Sequence, residues 1–181
     1  MESEQQIGPE MDRPGSPCWI DRKLRIDIGQ CIKKYKIISK LGEGSSGVVY
    51  KVVDTTKMIE CALKITKKKL TKNNYTKMMR EWKVLKKISL LDSGNKIPIV
   101  KLEDRFQYKG SLCMVFPLMG KTIYDFMNRN IFGYAMNLRE HIQHVGYQML
   151  QALHFLHING ITHTDLRPEN ILFTSLDPEK K

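Results

Sequence analysis

Hydrophobic and polar positions alternate first with the period of a strand and later with that of a helix. Tyr35–Lys40 (YKIISK), 48–54 (VVYKVVD) and Ile59–Ile65 (IECALKI) are rich in β-branched residues and read as three strands. The second is reached through the glycine-rich LGEGSSG and the third through Thr55–Met58, connections short enough for an antiparallel meander. Asn73 or Asn74 is then expected to cap a helix running to about Ile88, with Met78, Trp82, Leu85 and Ile88 as its apolar stripe. Ile99–Phe106 and Ser111–Phe116 read as two further strands joined at Tyr108–Gly110. After the connector Pro117–Lys121, Thr122 caps a short helix, IYDFM. A long helix starts at Asn137, paired with Glu140 in a variant capping box, and stops at Gly160. Its stripe is Leu138, Ile142, Val145, Met149, Leu153 and Leu156. The expected fold is α+β, a five-stranded antiparallel lobe carrying one helix, followed by a second, helical and shorter lobe.

Composition adds boundaries. Periodicity begins near Arg25; residues 1–24, rich in Pro, Gly and charge, are expected to be a disordered tail. The 181 residues leave room for one domain beyond it, and 41% hydrophobic with 27% charged residues fits a globular protein. No apolar run reaches the ~18 residues of a membrane span, and the N-terminus has no apolar stretch of signal type, so an intracellular protein is expected. Cys18, Cys31, Cys61 and Cys113 form no CxxC pair and read as reduced thiols. The net charge is +11, and Lys64–Lys87 holds ten Lys or Arg against the single acid Glu81. That stretch has no aromatic signature of RNA recognition, so a solvated basic helix face is favoured over a nucleic-acid patch.

Three motifs carry chemistry. Gly42, Gly44 and Gly47 form a GxGxxG. A dinucleotide fold would place a helix after it, but the strand-like VVYKVVD follows, which suits a hairpin flap over nucleotide phosphates. Alternation puts Ala62 and Lys64 on one face of the third strand, where Val49 can join Ala62 against a planar base and Lys64 can reach phosphate oxygens. A half-buried Lys wants an acid, and Glu81, on the packing side of the next helix, is the candidate. HTDLRPEN, residues 163–170, offers Asp165 as proton acceptor and the Asn170 amide oxygen for a hard cation. It matches the H-x-D-L-x-x-x-N catalytic-loop pattern. The pairs His141/His144 and His154/His157 lack the Cys or acid of a metal site and read as surface or packing residues.

These motifs occur in one order, and from Tyr35 to Phe173 the chain resembles the N-terminal part of a eukaryotic protein kinase. Thr164 in HTDL, with PENILF and VFPLMGKTIYDFM, resembles the LAMMER-type (CLK) dual-specificity kinases. The resemblance implies a partial kinase domain over 35–181: a lobe over 35–116, a hinge over 117–121 and the start of a second lobe over 122–181. It implies ATP and Mg²⁺ as cofactors, with the nucleotide among Leu41, Gly42, Glu43, Gly44, Ser45, Ser46, Gly47, Val48, Val49, Ala62 and Lys64. Phe116 would be the gatekeeper, the Pro117 carbonyl and Met119 N–H would meet the adenine edge, and Leu172 would close the pocket from below. Asp165, Lys64, Glu81 and Arg167 would be catalytic, with Asn170 on the metal. Protein substrates rich in Arg and Ser, such as splicing factors, and a nuclear location, otherwise cytoplasmic, are implied in the same way.

Three departures accompany the likeness. Arg167 stands where such kinases have Lys, and Ser46 where the flap often has an aromatic tip. No D-F-G or A-P-E follows Asn170 in these 181 residues. Weak activity is therefore expected, with a non-catalytic nucleotide-binding or interaction module as the alternative. The apolar face of the 138–158 helix is expected to be partly exposed and open to a partner.

Overall fold

The computed structural model describes residues 25–44, 47–66, 72–130 and 138–174. Six strands form one antiparallel sheet in the order β1-β2-β3-β4-β6-β5. They are β1 Cys31–Ile32, β2 Tyr35–Glu43, β3 Gly47–Asp54, β4 Ile59–Thr66, β5 Asp104–Tyr108 and β6 Ser111–Pro117. The helices are α1 Lys72–Leu91, α2 Ile123–Asn130 and α3 Leu138–Ile158, with a single 3-10 turn at Pro168–Asn170. The expected tail, residues 1–24, lies outside the described residues.

Period-two burial builds the lobe. Tyr35 and Ile37 of β2, Val52 of β3, and Cys61, Leu63 and Ile65 of β4 share one buried face with Phe106, Cys113 and Val115. Ala62 and Lys64 consequently lie on the opposite face of β4, as alternation requires. Tyr35 stacks on Phe106 at 5.6 Å between ring centroids, and its hydroxyl donates to Asp104 at 2.8 Å. Burial, with this carboxylate, pushes the Tyr35 phenol well above its ordinary pKa. Burial likewise pushes the Cys113 thiol up to about 12 and Cys61 up to about 11, so both are inert thiols.

Three sequence expectations need correction. The sheet has six strands, not five. The extra β1 closes on β2 through Lys33, which takes a φ of 53° without the Gly or Asn that marks such a turn. The fourth expected strand does not begin at Ile99. Buried Asp92 accepts the N–H groups of Lys96 and Ile97, holding that segment as a turn, and pairing starts at Asp104. Helix α1 starts at Lys72, so neither Asn73 nor Asn74 is its cap. Ile142 of the α3 stripe is 61% exposed, in keeping with the expectation that the apolar face of this helix is partly uncovered. The expectations at Thr122 and Gly160 hold. Thr122 Oγ1 accepts the Asp125 N–H at 3.0 Å. Gly160, at φ 67°, closes a Schellman motif in which Ile161 N–H donates to Leu156 O at 2.9 Å. The proposed Asn137 cap lies outside the described residues.

Asp54, buried at the end of β3, gives a pH test. Its Oδ1 accepts the Thr56 hydroxyl and N–H, and its Oδ2 pairs with Lys34 at 2.9 Å. These donors, Thr56 foremost, hold the carboxyl well below the usual carboxylate range. The unfolded chain thus binds the proton more tightly, and the stabilisation is complete above about pH 4 and fades as pH falls further. Asp54→Asn should lower the thermal midpoint at pH 7, with the gap to wild type closing below about pH 4. A gap that stays constant down to pH 2.5 would contradict this.

Candidate nucleotide site and catalytic loop

The β2–β3 hairpin presents the glycines differently. A Cβ added to Gly42 or Gly44 would meet nothing within 4 Å, whereas one on Gly47 would sit 2.4 Å from the Ile65 carbonyl oxygen. Gly47 is therefore required by the β3–β4 pairing, and Gly42 and Gly44 leave the hairpin surface open to a ligand. Gly44 N–H closes the hairpin on Gly47 O at 2.9 Å; Ser45 and Ser46 lie outside the described residues. Leu41 is half-exposed, Glu43 is exposed and bonded to Lys40, and Val48 is half-buried.

Register places the other expected residues. Val49 pairs with Lys64 and Ala62 with Phe116, and Pro117 ends β6 opposite Cys61. Lys64 Nζ donates to Glu81 Oε1 at 2.9 Å, joining β4 to α1. Lys64 is 22% and Glu81 44% exposed at the side chain, so each keeps access to solvent. Met119 follows β6 half-buried, and among the described residues its N–H has no hydrogen-bond partner. The connector folds beside the segment that follows the 163–170 loop: Gly120 N–H donates to Phe173 O at 2.7 Å, and Thr122 bridges Leu172. Leu172 is thereby held next to the connector, 39% exposed, and Phe126 packs edge-on against Phe173.

The loop after α3 organises itself around Asp165. Asn170 Nδ2 donates to Asp165 O at 2.8 Å and to Asp165 Oδ2 at 3.0 Å. With the amide nitrogen used twice, the Asn170 Oδ1 has no partner among the described residues, and the residue is exposed. An unpartnered amide oxygen beside a carboxylate fits the hard-oxygen preference of Mg²⁺ as part of a ligand set. Among the described residues no group of three His, Cys, Asp or Glu could hold a metal, so this is one side of such a set. Arg167 Nε lies 3.4 Å from Asp165 Oδ1 with both side chains more than half exposed, an ion pair of little energetic weight. Pro168 opens the 3-10 turn that brings Asn170 back to Asp165.

Sequence reasoning missed two features. Thr164 has a φ of 65°, a conformation a β-branched residue adopts at a cost of roughly 1–3 kcal/mol, and strain of that kind concentrates at functional sites. Lys87 Nζ donates to Asn159 O at 2.7 Å, capping the C-terminus of α3 with a cation. That bond ties the helix carrying Glu81 to the helix that precedes the 163–170 loop. The i,i+4 pattern of α1 gives no sign of it, because the partner is a backbone carbonyl 72 residues away. His144, His154 and His157 are exposed, as expected, and His144 contacts Gln148; the side chain of His141 lies outside the described residues.

Comparison with known proteins agrees with this geometry. The protein kinase domain family matches residues 35–180. Dual specificity protein kinase CLK2 of Mus musculus is 40% identical over 149 residues, covering 81% of this chain and 29% of that protein. Serine/threonine-protein kinase Doa of Drosophila melanogaster is 39% identical over 144 residues, covering 80% of this chain and 17% of that protein. A crystal structure of a kinase domain superposes with a TM-score of 0.73 at 27% identity, covering 84% of this chain and 44% of the solved one. The chain thus spans less than a third of the length of these curated relatives. A glycine hairpin, a Lys–Glu pair joining sheet and helix, and an Asp–Asn loop after α3 are together the marks of one family, and this chain belongs to the protein kinase domain family, with its curated relatives among CLK-type kinases.

Proposed function

We infer that this chain supplies the nucleotide lobe and catalytic loop of a LAMMER-type protein kinase. Such an enzyme transfers the γ-phosphoryl group of ATP to Ser or Thr, and also Tyr, of Arg/Ser-rich proteins such as splicing factors, in the nucleus. The observation that carries this is the Lys64–Glu81 pair at 2.9 Å beneath the glycine hairpin. Lys64 is aimed by Glu81 and offers its remaining donors to phosphate oxygens. The Met119 N–H and Pro117 carbonyl are read as the adenine contacts. Asp165 is read as accepting the proton of the substrate hydroxyl. When bound, MgATP supplies the phosphoryl group and the charge neutralisation that its transfer demands. The exposed face of α3 around Ile142, Tyr147 and Leu150 is read as covered by further protein.

Among the described residues Asn170 gives one side of a metal site. A polypeptide of residues 1–181 is read as binding ATP weakly and transferring negligible phosphate, as a non-catalytic nucleotide-binding or interaction module would. The check is phosphorylation of an Arg/Ser peptide by purified residues 1–181. Turnover near that of CLK2, abolished by Asp165→Asn, would overturn the expectation of negligible transfer.

A further inference from the structure

The 163–170 loop has no buried side chain to fix it, since residues 162–170 are all exposed. Its place is set by what holds its two ends. The far end is pinned to the connector. Ile123 N–H donates to Ile171 O at 2.8 Å, Gly120 N–H to Phe173 O at 2.7 Å, and Phe173 N–H to Lys121 O at 3.0 Å. The connector continues β6, so the chain itself fixes this end to the sheet.

The near end is held differently. Gly160 N–H donates to His157 O at 3.0 Å, Ile161 N–H to Leu156 O at 2.9 Å, and Asn159 Nδ2 to Phe155 O at 2.7 Å. These bonds use the Phe155, Leu156 and His157 carbonyls within α3, whereas the Asn159 carbonyl accepts Lys87 Nζ of α1 at 2.7 Å. The negative end of the helix dipole favours a cation there. Val84 and Leu91, three residues before and four after Lys87 and so on its side of α1, are 39% and 46% exposed, and little apolar packing backs the bond. The same helix carries Glu81, which holds Lys64 of β4 at 2.9 Å. By helical rise Glu81 and Lys87 stand roughly 9 Å apart along α1. One rigid element therefore grips the sheet at one point and the start of the loop at another. Lys83, one turn before Lys87 and exposed, makes no hydrogen bond or ion pair among the described residues.

We propose that Lys87 is a positioning residue. It sets where the 163–170 loop, and with it Asp165, stands relative to the Lys64–Glu81 pair, and it passes a displacement of α1 to the loop. The passing of a displacement rests on Lys64 receiving phosphate; the holding of the loop does not.

Amide hydrogen exchange of the 181-residue chain, read residue by residue by NMR, tests this at Ile161 and Asn170. Without nucleotide, Lys87→Met should speed exchange at both amides about three- to tenfold, and Lys87→Arg, which keeps a cationic donor, should stay within about twofold of wild type. Lys83→Met, which removes the same charge from the same helix, should leave both rates unchanged. Ile123 and Phe173, bonded in the connector, should keep their rates in every variant. With MgATP, exchange at Ile161 and Asn170 should slow in the wild type. Lys87→Met should bind MgATP within about twofold of wild type and lose that response. The proposal falls if Lys87→Met leaves the two amides unchanged without nucleotide, or if Lys83→Met acts as strongly. It falls equally if Ile123 and Phe173 speed up as much, which would mean a general loosening, or if the two amides answer MgATP alike in wild type and Lys87→Met. A wild type that binds no MgATP would overturn the nucleotide reading and the relay with it, while the nucleotide-free comparison still decides whether Lys87 holds the loop.

Discussion

Replacing Lys64 with Met should weaken ATP binding by roughly ten- to a hundredfold while hardly moving the thermal midpoint. Hydrogen bonds between charged groups are each worth about 1.5–3 kcal/mol, and a factor of ten is about 1.4 kcal/mol. The stability side is small because the Lys64–Glu81 pair is 22% and 44% exposed, and pairs of that kind contribute about 0–1 kcal/mol. Its geometry is therefore better explained by what it holds than by what it stabilises. Glu81→Gln should act in the same direction and less strongly, since Lys64 keeps its charge but loses its aim. Calorimetric titration of ATP with Mg²⁺ into both variants, beside thermal melts, separates the two effects. An unchanged affinity in Lys64→Met, or a large fall in midpoint, would count against the assignment.

Alanine at Gly47 and alanine at Gly44 should have opposite effects on stability. At Gly47 the new Cβ meets backbone, the Ile65 carbonyl at 2.4 Å, which no side-chain adjustment relieves. The paired strands must separate at the mouth of the hairpin, at a cost of about 1–3 kcal/mol or several degrees in midpoint. At Gly44 the Cβ enters open space, and removing glycine from the unfolded chain stabilises by about 0.4–1 kcal/mol. Thermal melts of the two variants read this directly. Gly44→Ala should nonetheless weaken nucleotide binding, because the new Cβ stands on the surface the phosphates approach. Equal midpoints for the two variants would show that the β3–β4 register does not depend on Gly47.

Much of the lobe was legible because its period is local. The alternation of Cys61, Leu63 and Ile65 against Ala62 and Lys64 fixed the faces of β4, and the single acid in a basic helix identified the partner of Lys64. Gly160 marked the end of α3 through its own φ. What escaped depended on contacts distant in sequence or on unmarked backbone. Lys33 turns β1 onto β2 with no glycine signal, and Asp92 holds the N–H groups of residues 96 and 97 ahead of a strand that begins only at Asp104, not at Ile99. Trp82 reads as an ordinary stripe residue, and only β5 brings Arg105 onto its ring. The sequence motif points to Asp165 and Asn170; their mutual hydrogen bonds, which occupy the Asn170 amide nitrogen, needed the structure.

The central claim is that nucleotide phosphate is received by Lys64 and not by the basic face of α1. Lysine acetylation of residues 1–181, read by mass spectrometry with and without MgATP, tests it most directly, because each lysine reports separately. Selective protection of Lys64, with Lys83 and Lys86 modified equally in both conditions, is the predicted result. Unchanged modification of Lys64 at saturating MgATP, or protection confined to Lys83 and Lys86, would contradict it.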